Sequence, residues 1–209
     1  MEKEKTGIIT VALKLFIICF VSTLILAFVN TLTKDVIEEN NKKVFAEGCE
    51  EVLPGAARTE IVDISEYLPG AEAAVSYDAE NNVMGIAIKQ SIKGYNSGLV
   101  LMTGVAADGK KVTGIDILEH SETPGLGALA DSKDFTEQFR GKMAPLKTEK
   151  DGGEIVAITG ATKTTKGIID NGVNKAVEAA ALYFENVDAE ENSEDAVPQE
   201  NEAAEGEGI

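Results

Sequence analysis

The chain is poor in the residues that build metal centres and hydrolytic sites. Its 209 residues include only two cysteines, Cys19 and Cys49, and one histidine, His120. A zinc or iron–sulfur site needs several soft ligands, so no metal is expected. Cys19 lies in an apolar run and Cys49 in a polar one, which argues against a disulfide between them. His120 has the chemistry of a general base, yet no serine or cysteine stands in a recognisable nucleophile turn. Glu119 and Glu122 flank it, and glutamates in a loop read as solvated. Basic residues are scarce as well: 19 Lys and Arg against 36 Asp and Glu give a formal net charge of -17. Nucleic-acid phosphates require Lys and Arg, so nucleic acid is excluded as a partner. From Glu185 to the end there are ten acidic residues and no Lys or Arg. Residues 186–209 therefore read as a disordered, solvated acidic tail.

Two phosphate-binding patterns also fall short. Gly160-Ala161-Thr162-Lys163-Thr164 lacks the glycine before the lysine that a P-loop nest needs. Gly125-Leu126-Gly127-Ala128-Leu129-Ala130 has the form G-x-G-x-x-A, but the strands before it read as antiparallel rather than as part of a βαβ unit.

What is present falls into segments. Ile8 to Val29 is an apolar run of 22 residues, enough to span a bilayer core of about 30 Å as a helix. No small-x-small cleavage pattern stands near Ala27-Phe28-Val29-Asn30, so the run reads as an uncleaved anchor. Lys3, Lys5 and Lys14 favour an inside N-terminus. The expected organisation is a cytoplasmic 1–7, a transmembrane anchor 8–29, and the bulk of the chain outside. Residues 30–72 read as a stalk and lead-in, with turns at Leu53-Pro54-Gly55-Ala56 and Leu68-Pro69-Gly70-Ala71.

From Ala73 the pattern is that of strands: Val75–Tyr77, Val83–Ile88, Leu99–Val105 and Val112–Leu118, with hairpin signals at Asp78–Asn82 and Asp108-Gly109. A short helix is expected near Ser132–Phe139. A last strand, Ile155–Ile158, then leads to a long helix from about Lys166 to Phe184. Its apolar stripe at Ile169, Val173, Ala176/Val177, Ala180 and Phe184 marks one buried face. The fold class expected for 73–185 is α+β.

The junction before that helix is Thr159-Gly160-Ala161-Thr162-Lys163-Thr164-Thr165. Thr164 or Thr165 suits a helix cap. Gly160 and Ala161 strip bulk from beside the Thr162 hydroxyl. The helix N-terminus favours a phosphate there, and Lys163 and Lys166 add positive charge. The loop Thr123-Pro124-Gly125-Leu126-Gly127 has one fixed dihedral and two glycines, which lets backbone pass close to a flat ligand.

In order, the N-terminal anchor, Gly94-Tyr95-Asn96-Ser97-Gly98-Leu99, the run Val112 to Gly127 that ends Glu119-His120-Ser121-Glu122-Thr123-Pro124-Gly125-Leu126-Gly127, and Thr159-Gly160-Ala161-Thr162 resemble the FMN-binding domain of the G subunit of the Rnf ion-translocating electron-transport complex. The C subunit of the sodium-pumping NADH:quinone reductase is a related branch. The resemblance covers about Met1 to Phe184. It implies FMN joined through a phosphoester to Thr162, with Thr159, Gly160 and Ala161 as recognition context and a separate flavin transferase using FAD. Glu122, Thr123, Gly125, Leu126 and Gly127 are expected near the flavin. The family commonly has an acidic residue three positions before the first threonine, and here that position is Val156. The function implied is that of an electron carrier in a membrane complex coupling ferredoxin and NAD to proton or sodium movement, with other subunits as partners. The alternatives are a stand-alone tethered flavoprotein outside the cytoplasm, or a non-redox anchored scaffold.

Overall fold

The computed structural model describes residues 2–194. The last part of the acidic tail, 195–209, lies outside the described residues. The chain divides into two compact units, Met1–Ala46 and Glu47–Ile209.

The first unit is the greater part of one helix, α1 (Glu2–Val52). Its apolar side chains Leu15, Phe16, Ile18, Phe20, Leu24 and Phe28 are all exposed. Helices of water-soluble proteins bury such a surface. Among the described residues, α1 is the one helix long and apolar enough to cross a membrane. The helix takes in residues 2–7 and, of the expected stalk and lead-in at 30–72, only the part up to Val52.

The second unit is built on a five-stranded antiparallel meander in sequence order. Its strands are β1 (Arg58–Val62), β2 (Glu72–Tyr77), β3 (Val83–Lys93), β4 (Ser97–Ala106) and β5 (Val112–Glu119). The two hairpin signals are turns in the structure. Asp78 Oδ1 accepts from the backbone N–H of Glu80 and Asn82. Asp108 Oδ1 accepts from those of Lys110 and Lys111, with Gly109 at φ +66°. β1 was not expected. It lies between the two Leu-Pro-Gly-Ala turns, and four of its five side chains are exposed, so it lacks the alternation that marks a strand.

After β5 come a 3-10 turn (Gly127–Asp131), α2 (Lys133–Thr136) and a second 3-10 turn (Glu137–Phe139). The closing helix has three parts: α3 (Thr162–Lys166), a π segment (Gly167–Val173) and α4 (Asn174–Glu194). Three expectations are corrected here. Ile155–Ile158 is not a strand, since only Ile155 forms a bridge, parallel to Thr148. The closing helix begins at Thr162, four residues before Lys166. It also runs on to Glu194, so residues 186–194 are helical rather than the start of the tail.

Ile86, Ile88, Leu101, Val105, Ile115 and Ile117 on one sheet face join Ile168, Ile169, Val173, Ala176 and Ala180 of the closing helix in a single core. Full burial of an isoleucine such as Ile168 or Ile169 contributes roughly 1.5–3 kcal/mol. Strand alternation turns Gly85, Met102 and Gly104 to the other face. There the last turn of α1 lies close: a Cβ on Gly104 would stand 2.8 Å from that of Val52. Thr113 Oγ1 donates to Val52 O at 2.6 Å, which fixes this turn to β5.

Candidate functional site

The closing helix starts at one end of this core, and its first turn is sorted by side-chain direction. Thr164 and Thr165 point inward and are fully buried. Thr165 Oγ1 donates to Ala161 O at 3.2 Å and accepts from Ile158 N–H at 3.1 Å. Thr164 Oγ1 donates to Glu122 Oε2 at 2.9 Å. Neither threonine is the cap: the capping position is Ala161, which has no side-chain cap. The first N–H groups of a helix have no intrahelical partner, so this helix start keeps free donors. Thr162 is exposed, and its hydroxyl has no partner among the described residues.

Glu122 is a second correction. It is 7% exposed and is the only charged side chain in the buried set among the described residues. Its Oε1 accepts from the backbone N–H of Asn96 at 2.9 Å, and Asn96 Nδ2 donates to Ser121 O at 2.6 Å. The carboxylate therefore ties the turn before β4, the loop after β5 and the helix start together. Its walls are glycine. A Cβ on Gly94 would lie 2.5 Å from Oε1, and one on Gly127 2.3 Å from Oε2. His120 Nδ1 accepts from the Glu122 backbone N–H at 3.4 Å, a contact within the loop.

These segments enclose a cleft of about 500 Å³ lined by Tyr95, Glu122, Thr123, Leu126, Gly127 and Gly160 through Thr164. That volume lies within the roughly 300–1,000 Å³ of small-molecule and cofactor sites. Gly160 has φ +78°, and a Cβ there would meet Leu126 Cδ2 at 2.8 Å, so a larger residue would intrude on the cleft wall. Tyr95 is 63% exposed, and Lys163 Nζ lies 5.6 Å from its ring centroid. Lys166 is not a free cation for the site, since it pairs with Asp151 at 2.9 Å. That pairing holds its ammonium above the usual lysine range and the Asp151 carboxyl below the usual range.

Of the expected site residues, the structure gathers Gly160, Ala161, Thr162, Glu122, Thr123, Leu126 and Gly127 around one cleft. It leaves Gly125 and Thr159 out of the lining, both exposed, with Gly125 at φ +74° making the turn. Tyr95 and the Thr164–Glu122 bond were missed as site features. Tyr95 stands in a Gly-Tyr-Asn-Ser-Gly turn, a signal available in the sequence. Val156 is 52% exposed, with its N–H donating to Gln138 Oε1. Among the described residues no group of His, Cys, Asp and Glu is placed to hold a metal ion.

The cleft suits a group that carries both a phosphate and a flat apolar ring. The start of the closing helix and Lys163 border it, and so do Tyr95 and Leu126. Residues 94–179 match the FMN-binding domain family, and residues 1–47 match the RnfG N-terminal region. With α1 apolar enough to cross a bilayer, these features define a membrane-associated protein with an FMN-binding domain. The chain is 32% identical over 174 residues to the G subunit of the ion-translocating oxidoreductase complex of Methanosarcina acetivorans, covering 81% of this chain and 91% of that one. It is 36% identical to the G subunit of the Na(+)-translocating ferredoxin:NAD(+) oxidoreductase complex of Acetobacterium woodii, over 78% of this chain and 87% of that one. It is 29% identical to the G subunit of the proton-translocating ferredoxin:NAD(+) oxidoreductase complex of Clostridium ljungdahlii, over 87% and 96%. The chain belongs to the family of G subunits of ion-translocating oxidoreductase complexes.

Proposed function

We propose that this protein is the electron-carrying subunit of a membrane-bound oxidoreductase of the ferredoxin:NAD type, holding FMN through a phosphoester to Thr162. The observation that carries the reading is the sorting of hydroxyls at the helix start. Thr164 and Thr165 are buried and hydrogen-bonded, whereas Thr162 is exposed, on the cleft, and without a partner among the described residues. FMN supplies reversible one-electron chemistry that these side chains lack. Lys163 and the free N–H groups of the helix start would hold its phosphate, and Tyr95 and Leu126 would face its ring. Thr123 and Gly127 also line the cleft. Attachment needs a flavin transferase and FAD. The Thr162 oxygen forms a bond to the flavin-side phosphorus, the bond to the AMP phosphate breaks, AMP leaves, and the hydroxyl proton is released.

Lys3, Lys5 and Lys14, in the first part of α1, favour an inside N-terminus and an extracytoplasmic domain. A covalent tether suits that side, where released FMN would be lost. Relatives are named for sodium and for protons, and the protein serves translocation of one or the other as a member of a multi-subunit complex. To test the reading, the protein is co-expressed with a flavin transferase, denatured, and viewed on a gel under ultraviolet light. The wild type should fluoresce, Thr162→Ala should be dark, and Thr164→Ala and Thr165→Ala should remain labelled at the endpoint. A dark wild-type band, with the transferase active on another acceptor, would defeat covalent attachment and point to Val156.

A further inference from the structure

We infer that Glu122 is the positioning residue that presents Thr162 for flavin attachment, acting through Thr164. This rests on Thr162 being the attachment point. Glu122 is buried, and each of its oxygens accepts a hydrogen bond from another segment of the chain: Oε1 from the Asn96 N–H at 2.9 Å and Oε2 from the Thr164 hydroxyl at 2.9 Å. A buried carboxylate is costly unless it is paired and hydrogen-bonded, and charged hydrogen bonds are among the strong ones. The arrangement therefore rewards one geometry of three segments that are far apart in sequence. The Thr164 bond spans 42 residues and the Asn96 bond 26.

Its consequence for Thr162 follows from helix geometry. Successive helical residues turn by 100°, so holding Thr164 inward rotates Thr162 and Lys163 to the cleft side. The Thr165 bonds to Ala161 and Ile158 fix the same turn from behind. Gly94 and Gly127 leave room for the carboxylate and for little else. The same contact places Tyr95, next to the Asn96 donor, at the cleft mouth.

The substitutions separate geometry from charge. In Glu122→Gln the amide oxygen accepts from Asn96 and the amide nitrogen donates to Thr164, whose hydroxyl is also an acceptor. The clamp survives without its charge. Glu122→Ala leaves both donors unpaired, and Thr164→Val removes one bond at nearly constant shape. The initial rate of FAD-dependent labelling is measured on the full-length protein with purified transferase. Glu122→Ala should lower kcat by about tenfold or more, as misplacement of a reacting group does, with KM for FAD unchanged. Thr164→Val should fall in the same direction by less, and Glu122→Gln should retain most of the wild-type rate. A folded Glu122→Ala protein labelled at the wild-type rate, or a Glu122→Gln protein as slow as Glu122→Ala, would overturn the inference.

Amide hydrogen exchange supplies a readout that does not depend on labelling. Glu122→Ala should speed exchange at Asn96 and at 162–166 while the sheet amides stay protected, and Glu122→Gln should not. Exchange raised throughout the second unit would show a general structural role and overturn positioning. If the wild type itself is unlabelled, the attachment reading fails on its own, and the exchange pattern still decides whether Glu122 orders the cleft.

Discussion

A methyl group on Gly127 would stand 2.3 Å from Glu122 Oε2 and 2.9 Å from Thr164 Oγ1, two atoms already bonded to each other. Gly125, two residues earlier, has nothing within 4 Å of the same position but holds φ +74°. The two glycines are therefore needed for different reasons, and their alanine variants should differ. Gly125→Ala carries backbone strain alone, about 1–2 kcal/mol. Gly127→Ala forces the carboxylate out of place, at about 1–3 kcal/mol of stability, and should also slow labelling at Thr162. Thermal melting beside labelling rates checks this; labelling slowed equally in both would contradict it. Much of the site was legible at this scale, because Gly160, Ala161, Thr162 and the Thr123–Gly127 loop are contiguous motifs. The burial of Glu122 was not, since its partners Asn96 and Thr164 carry no local mark of facing it.

The closing helix shows what periodicity can and cannot reveal about an element. The stripe from Ile169 to Ala180 marks the buried face, and those residues are in the core. The π segment within it left no such trace, because one wider turn shifts the stripe too little to disturb a spacing of three or four. Its wider turn departs from the i→i+4 pattern, and the Gly172 carbonyl is met from the sheet: Gln90 Nε2 on β3 donates to it at 2.9 Å. Gln90 is buried among apolar neighbours on its strand face. Gln90→Leu should thus remove this buried hydrogen bond and lower stability by about 0.5–1.5 kcal/mol in urea unfolding, despite being more apolar. Gly172→Ala should also destabilise, since its Cβ would lie 2.4 Å from Leu101 Cδ2. An unchanged urea midpoint in Gln90→Leu would show that the bond contributes nothing. β1 escaped sequence reading for the opposite reason: exposure on both faces leaves no periodicity to detect.

At the scale of the whole molecule the formal net charge is -17, and among the described residues most of its carriers are exposed, where water screens them. Beside the buried Glu122, Asp116 is a second departure. It sits half-buried on β5, and its carboxyl is pushed above the usual aspartate range, first by burial and then by the Glu51 and Asp131 carboxylates. These come from three elements of the second unit: the last turn of α1, β5 and the 3-10 turn after it. A carboxyl whose folded pKa is raised favours the folded state only while protonated. That contribution is full below the unfolded value of about 4 and is lost as pH rises through the folded pKa. At neutral pH the ionised Asp116 is therefore a cost. Asp116→Asn should melt higher than the wild type at pH 7, and the difference should close as pH falls toward the ordinary aspartate range. Salt distinguishes the two causes, because it screens the like charges but leaves the burial penalty in place. Since burial leads, high salt should narrow the pH 7 difference without removing it. A melting difference that is the same at every pH would show that Asp116 acts through packing or hydrogen bonding rather than through its charge.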